Sequence, residues 1–285
     1  MTKEKKPFDV CLTHDIDRLK KTYQYFTKFF LTNNTKHLYT LFYEEEPYWC
    51  LDKIENIERS YGVKSTFFFL NESIKFNPAR PKTWKFSLGR YNINSPKIVQ
   101  KIKELDINGN EIGVHGSVQS YNNSNLLKME KMNLEKIIGK KINGSRQHFL
   151  RFKYPETWNI QRDLGFKYDS TFGFRNRIGF KGNIYRSFEP FKDGFKILPI
   201  GIMDTYLFSK QKTLDDYWQD CVNVINQAQK NSAILVIIWH NRCFYELDYP
   251  NYTLIYKRII DQTNEVVLKQ SLNLLNFHLI HHTLL

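Results

Sequence analysis

The stretch Val10-Cys11-Leu12-Thr13-His14-Asp15-Ile16-Asp17 reads as a buried strand that ends abruptly in a histidine and two acids. In extended backbone, side chains two residues apart share a face, so Asp15 and Asp17 converge unless the chain has already turned. Two carboxylates that close repel each other and call for positive charge between or beside them. Asp also follows strands where it starts a turn or caps a helix. The rest of the chain has to decide between these readings.

Arg18 to Glu46 is basic and aromatic, too apolar for a linker. It is expected to form a helical insertion of one or two short helices, covering one end of a sheet or touching a membrane surface or carrier lipid. From Trp49 to Tyr61 apolar residues recur at helical spacing, Gly62 ends the helix, and Val63 to Leu70 reads as a buried strand, giving a β-α-β unit. The pattern repeats. Helices are expected over 95–105, 124–138, 155–164 and 214–229, and strands over 111–116, 145–152, 166–170, 195–203 and 233–241, before a last amphipathic helix. Such alternation implies an α/β protein with a parallel sheet. Seven or so units without a doubled shift in composition favour one barrel, a single domain over 1–285 with 18–46 inserted after the first strand.

The 285 residues carry 42 Lys and Arg against 29 Asp and Glu, a net charge of +13, with no arginine-rich block. The excess is compatible with a phosphorylated substrate, but no basic stripe or nucleic-acid motif accompanies it, so a nucleic-acid partner is not expected. No window approaches the roughly 20 apolar residues of a transmembrane helix. Met1 to Pro7 leads straight into the first strand without a signal-peptide core, which gives the expectation of a cytoplasmic protein. Cys11, Cys50, Cys221 and Cys243 are scattered, with no C-x-x-C pair, and read as reduced, mostly buried thiols.

Residues with chemical capability recur where the apolar runs stop. Asp15 and Asp17 follow the first, His115 ends "EIGVH", Arg146 and His148 lie around the fourth, Asp169 in the fifth, and His240 closes "LVIIWH". In a barrel of parallel strands all carboxyl ends lie on one face, where active sites are built. Each residue alone has an ordinary structural explanation; their recurrence at the same end of five strands points to one site.

On these residues the sequence, from about Phe8 to Asn241, resembles the polysaccharide deacetylases of carbohydrate esterase family four, the NodB-like domains. The likeness is to the branch whose first motif is T-H-D-x-D, here Thr13-His14-Asp15-Ile16-Asp17. The resemblance implies a distorted (β/α)7 barrel. It implies Asp15 as general base, Asp17 and His115 as metal ligands, Arg146 as the arginine that pairs with the base, Asp169 near the fourth motif's acid, and His240 as general acid, kept protonated by a carboxylate such as Asp169. The second motif, His-(Ser/Thr)-x-x-His, is present only in part as His115-Gly116-Ser117-Val118-Gln119. Zinc sites usually take three protein ligands. The third is then His148, swinging in from the fourth strand, or the weaker carbonyl oxygen of Gln119, or water, unless no metal binds.

The activity implied is metal-dependent removal of an N-acetyl group from a sugar, in cell-surface polysaccharide biosynthesis. The cofactor is a divalent metal, zinc before cobalt, nickel or iron. The substrate is a carbohydrate, a nucleotide- or lipid-carrier-linked sugar fitting the absent signal peptide better than a wall polymer. Trp158, Phe172, Phe174 and Tyr185 are candidates to stack on sugar rings or to pack in the core. The alternatives are another amidohydrolase of the same barrel, acting on a formamide, ureide or imide, and a catalytically inactive carbohydrate-binding relative. Oligomeric state is not legible.

Overall fold

Strand β1 (Asp9–Ile16) lies at the middle of the sheet, between β2 (Thr66–Leu70) and β8 (Ile234–Ile238), parallel to both. The computed structural model describes residues 8–264; the expected lead-in at 1–7 lies outside the described residues. Outward from β2 follow β3 (Glu111–Gly116), β4 (Gly144–Gln147), β5 (Tyr168–Asp169) and β6 (Lys196–Ile197), and outward from β8 lies β7 (Ile200–Met203), giving the order β6-β5-β4-β3-β2-β1-β8-β7, all parallel. The expected α/β architecture, a distorted barrel of parallel strands with helices outside, is what the chain forms.

The edge strands β6 and β7 are consecutive in sequence, separated only by Leu198 and Pro199. The expected strand over 195–203 is therefore two strands. Its first half extends the β5 edge, with Leu198 N–H donating to the Asp169 carbonyl at 2.9 Å, and its second half pairs with β8. Pro199, which has no N–H to give a ladder, marks the break. The chain itself spans the gap between the sheet's two edges and curls the sheet into a barrel.

Helices α3 (Leu51–Ser60), α5 (Pro96–Ile107), α6 (Ser124–Ile138), α7 (Glu156–Asp163), α9 (Leu214–Lys230) and α10 (Tyr252–Asn264) alternate with strands. Local signals set their ends: Asn123 accepts the Leu126 N–H at the start of α6, and Thr213 with Asp216 forms a capping box on α9. Their buried stripes meet the outer face of the sheet in one large core that includes Leu12, Phe67, Ile102, Leu134, Val224 and Ile259. Inside the barrel Cys11, Phe68, Tyr168, Leu198, Ile234 and Val236 form a second, smaller layer. All four cysteines are free and buried.

The insertion, expected as one or two short helices, forms two, α1 (Gln24–Thr32) and α2 (Lys36–Tyr43). A buried carboxylate fastens it to the barrel. Asp248 Oδ1 meets Lys21 Nζ at 2.8 Å and His37 Nδ1 at 3.0 Å, its Oδ2 accepts from Tyr48 Oη at 2.6 Å, and its carbonyl accepts from Lys28 Nζ at 2.5 Å. The side chains of Lys21 and Asp248 are wholly shielded from solvent. A short helix α4 (Pro81–Ser87), not expected from the sequence, follows β2.

Removing one member of a buried ion pair strands the other. Asp248→Ala should cost about 3–5 kcal/mol in urea denaturation, whereas Glu45→Ala, which frees only the exposed Lys20, should cost under about 1 kcal/mol. Equal, small losses would show that Asp248 does not fasten the insertion.

Candidate active site

Because the strands are parallel, their carboxyl ends share one face, and there β1 delivers Asp15 on its last turn of pleat and Asp17 just beyond it. Thr13 and Asp15 point into the barrel, where Arg146 from β4 reaches across to them. Its Nη1 donates to Thr13 Oγ1 at 2.8 Å and to Asp15 Oδ1 at 2.7 Å. Nε donates to the Ser170 carbonyl and Nη2 to Ser170 Oγ, both at 2.9 Å, and the guanidinium lies over the Phe68 ring at 4.3 Å. Burial alone would raise the Asp15 carboxyl, but Arg146, then His115 and His240, outweigh it and hold the group below its ordinary value. His14, between the two faces, points outward: Nδ1 donates to the Trp239 carbonyl at 2.8 Å and Nε2 meets Glu58 Oε1 at 2.8 Å.

Asp17 faces a different set of partners. Its Oδ1 lies 3.2 Å from His115 Nε2 and 3.6 Å from His148 Nε2; its Oδ2 lies 2.5 Å from Arg242 Nη1 and 3.5 Å from His240 Nε2. Burial opposes ionisation here too, yet His148, His240 and Arg242 together hold the carboxyl well below its usual range. His148 itself is pushed down by burial, which Asp17 only partly offsets, and so favours the neutral imidazole.

Asp17, His115 and His148 present ligand atoms within 4.8 Å of one another, all three residues being shielded from solvent. Ligand atoms around a tetrahedral zinc with bonds of about 2.0 Å stand about 3.3 Å apart, close to the spacings seen from Asp17. His115 Nδ1 meets the Arg146 carbonyl at 3.0 Å; that oxygen can only accept, so Nδ1 carries a proton. Against burial, Asp15 and Asp17 raise the imidazole above its ordinary value, and a cation bound at Nε2 would take the place of the proton they favour. Neither His115 Nε2 nor Asp17 Oδ1 has a hydrogen-bond partner, although both are buried. A carboxylate oxygen and two imidazoles, two of these three groups with an unpartnered buried atom, are the donor set a divalent cation wants. A second acidic group, Asp52, Glu55 and Glu104, is instead gathered on the ammonium of Lys101.

The expected strand over 145–152 ends at Gln147, and His148 opens a 3₁₀ turn in which Phe149 and Leu150 take left-handed φ of 58° and 50°. The turn still leaves His148 beside His115, ring centroids 5.1 Å apart. Gln119 is exposed and stands outside the cluster.

The pairing expected of His240 with Asp169 does not occur. His240 Nδ1 meets Asp204 Oδ1 at 2.7 Å, and its backbone N–H donates to Asp204 Oδ2 at 2.5 Å. Asp169 is spent elsewhere: it accepts from Gln161 Nε2, Trp158 Nε1, Thr171 N–H and Thr171 Oγ1. Those bonds shape the turn that holds Ser170 under Arg146, so Asp169 supports the site from behind. Asp204 opens the short helix α8 (Asp204–Leu207) directly after β7. The signal that marks the other site residues, a polar group where an apolar run stops, marks it as well, after the run 195–203. Arg242 carried no such signal. Trp158, Phe172 and Tyr185 belong to the outer core, and Phe174 stacks under Arg177 at 4.0 Å.

No protein-family profile matches the sequence. No curated protein matches it. Among solved structures, one described as a polysaccharide deacetylase from Mycobacterium smegmatis superposes with a TM-score of 0.62 at 13% identity, over 99% of this chain and 93% of that one. Puue allantoinase gives 0.63 at 12% identity, over 98% and 93%. A protein described as a polysaccharide deacetylase from Pseudomonas aeruginosa PAO1 gives 0.61 at 11%, over 98% and 93%. The fold is that of the polysaccharide deacetylases, as the resemblance in sequence implied.

The His240–Asp204 pair has a pH signature. Burial would raise the Asp204 carboxyl, but His240 and then Arg242 outweigh it and hold it at about 2. A carboxyl lower in the folded than in the unfolded chain stabilises the fold above about pH 4 and loses that contribution as pH falls toward its folded value. Denaturant melts should therefore find Asp204→Asn less stable than the parent by about 2 kcal/mol at neutral pH, with the gap closing between about pH 4 and 2. A gap that stays constant with pH would remove the ion pair from the account.

Proposed function

We propose that the protein is a metal-dependent hydrolase that removes the N-acetyl group from an amino sugar. One observation carries the reading. A base held by an arginine, Asp15 with Arg146, and an imidazole held by a carboxylate, His240 with Asp204, both face Asp17, His115 and His148 at the carboxyl end of the barrel.

A divalent cation held by Asp17, His115 and His148 would supply Lewis-acid polarisation of the amide carbonyl. The chain's own groups handle the protons. Asp15 is ionised at neutral pH; Arg146 occupies its Oδ1, leaving Oδ2, 3.7 Å from His115 Nε2, to take a proton from the attacking water. His240 donates from Nε2 to the departing amine nitrogen, since an unprotonated amine is a poor leaving group. The ionised Asp204 accepts a hydrogen bond from Nδ1–H and so fixes the ring's tautomer and orientation. The products are acetate and the free amino sugar. A phosphate-bearing substrate, nucleotide- or lipid-carrier-linked, suits the chain's positive charge, and polysaccharide biosynthesis is the setting that uses one.

A second reading, hydrolysis of a ureide or related amide, draws on the fold shared with Puue allantoinase. An inactive carbohydrate-binding relative is disfavoured by the intact acid, base and candidate ligand set.

Acetate release from N-acetylglucosamine oligomers and their carrier-linked forms, measured with added zinc, tests the proposal. Asp15→Asn should lose roughly 10²–10⁴-fold in turnover while metal binding by titration stays close to the parent's. His148→Ala should weaken metal binding by about tenfold or more, with Gln119→Ala unchanged. Turnover of other amides without acetate release would favour the second reading. Loss of metal in Asp15→Asn with retention in Asp17→Asn would reverse the roles of the two acids.

A further inference from the structure

The insertion wears its amphipathicity inside out. On α1, Phe26 and Phe30 stand one turn apart on the solvent side with Leu31 beside them, while Gln24 and Tyr25 are buried. On α2, Tyr39, Phe42 and Tyr43 share the outer stripe and His37 is buried. Phe30, Leu31 and Phe42 are 77–80% exposed. A surface helix of a globular protein normally turns such a stripe to the core, and apolar surface on this scale marks an interaction site. The stripe is held out by a rigid support, because Asp248 grips Lys21, Lys28, His37 and Tyr48 beneath it.

The charge around it is mostly positive; of the three acids that follow Tyr43, Glu45 meets Lys20 and Glu46 meets Lys20 and Lys97. Residues 18–43 carry Arg18, Lys20, Lys21, Lys28 and Lys36 and no Asp or Glu. Residues 73–90, which follow β2 and contain α4, carry Lys75, Arg80, Lys82, Lys85 and Arg90, again with no acid, and expose Phe76 and Trp84. The two segments touch: Arg18 Nη2 donates to the Lys85 carbonyl at 3.4 Å. Two aromatic-rich, basic segments thus leave neighbouring strands, β1 and β2, at the end of the barrel bearing the site.

We propose that these segments dock the protein on an anionic bilayer surface. Phe26, Phe30, Phe42, Tyr43 and Trp84 would seat at headgroup depth, and the surface cations around them, Lys36, Arg80, Lys82 and Lys85, would meet lipid phosphates. Aromatic rings set mostly among lysine and arginine fit an acidic lipid surface better than an apolar protein partner. The inference stands whether or not the site hydrolyses an amide.

Cosedimentation of the full chain with phosphatidylcholine vesicles, with and without about one-third phosphatidylglycerol, tests it. The parent should bind the anionic vesicles, bind neutral ones poorly and be released by salt. Phe30→Ser combined with Phe42→Ser should weaken binding by at least about tenfold, and Arg80→Glu combined with Lys82→Glu by a similar factor, with melting curves like the parent's because all four positions are exposed. Failure of the parent to bind at low salt, or binding indifferent to these changes, would overturn the proposal. So would a dimer in sedimentation velocity that the double serine variant abolishes, which would give the patch to a second copy. A Phe30→Cys thiol unreactive in lipid-free protein would also overturn it, since the chain would then cover the patch itself.

Discussion

The guanidinium of Arg146 has no exposed surface, and that constraint organises the interior of the barrel. A buried charge is tolerated only when it is paired and its donors are used. Arg146 meets the requirement by bonding Thr13 and Asp15 of β1 and Ser170 just past β5, and by lying on Phe68 of β2. Four strands are thereby tied to one side chain at their carboxyl ends. The turn that presents Ser170 is itself built on Asp169, whose carboxylate accepts four donors. Support of this kind leaves little freedom for the side chain of Asp15, which is what the base role proposed for it requires.

The two acids one residue apart are reconciled by being given separate company. Asp15 takes the arginine from β4; Asp17, beyond the strand, takes Arg242 on one oxygen and the imidazoles of His115 and His148 on the other. Both are held below the ordinary carboxyl range against the pull of burial. Their partners differ in what they permit. An arginine bond leaves Asp15 one oxygen for a proton, whereas the imidazoles beside Asp17 Oδ1 can turn lone pairs to a cation only in their neutral forms. The same strand end thus serves acid–base chemistry and metal ligation on adjacent oxygens, in the reading proposed here.

Elements whose signals are local were legible in the sequence. Strand β3 and helix α6 fall where the apolar pattern and the cap and glycine signals place them, and β1 with its two acids was read from eight residues. The misreadings have nonlocal causes. The stretch 195–203 is apolar throughout, and nothing in its pattern says that its halves pair with different neighbours; only closure of the sheet decides that. The strand expected to run to Phe152 stops at Gln147 because two consecutive residues adopt left-handed backbone, which an apolar pattern does not reveal. Asp169 and Asp204 are both acids near strand ends, and choosing which of them meets His240 requires knowing that β7 and β8 are neighbours while β5 and β8 are not.

That choice follows from closure in a definite way. Met203 is in register with Ile238, so the next residues of the two strands, Asp204 on one side and Trp239 and His240 on the other, emerge beside each other at the same end of the barrel. Had the stretch around Pro199 continued as a single edge strand on β5, Asp204 would have left the sheet on the far side from His240, and the imidazole would have lacked its carboxylate. The break after Leu198 therefore does two things at once. It gives β8 a neighbour on its open side, so that no long unpaired edge remains there, and it carries an acid across the barrel's seam to a histidine that faces Asp17 Oδ2. The pairing of His240 with Asp204 is a consequence of how the sheet closes, and its presence ties the proposed chemistry to the topology of the whole domain.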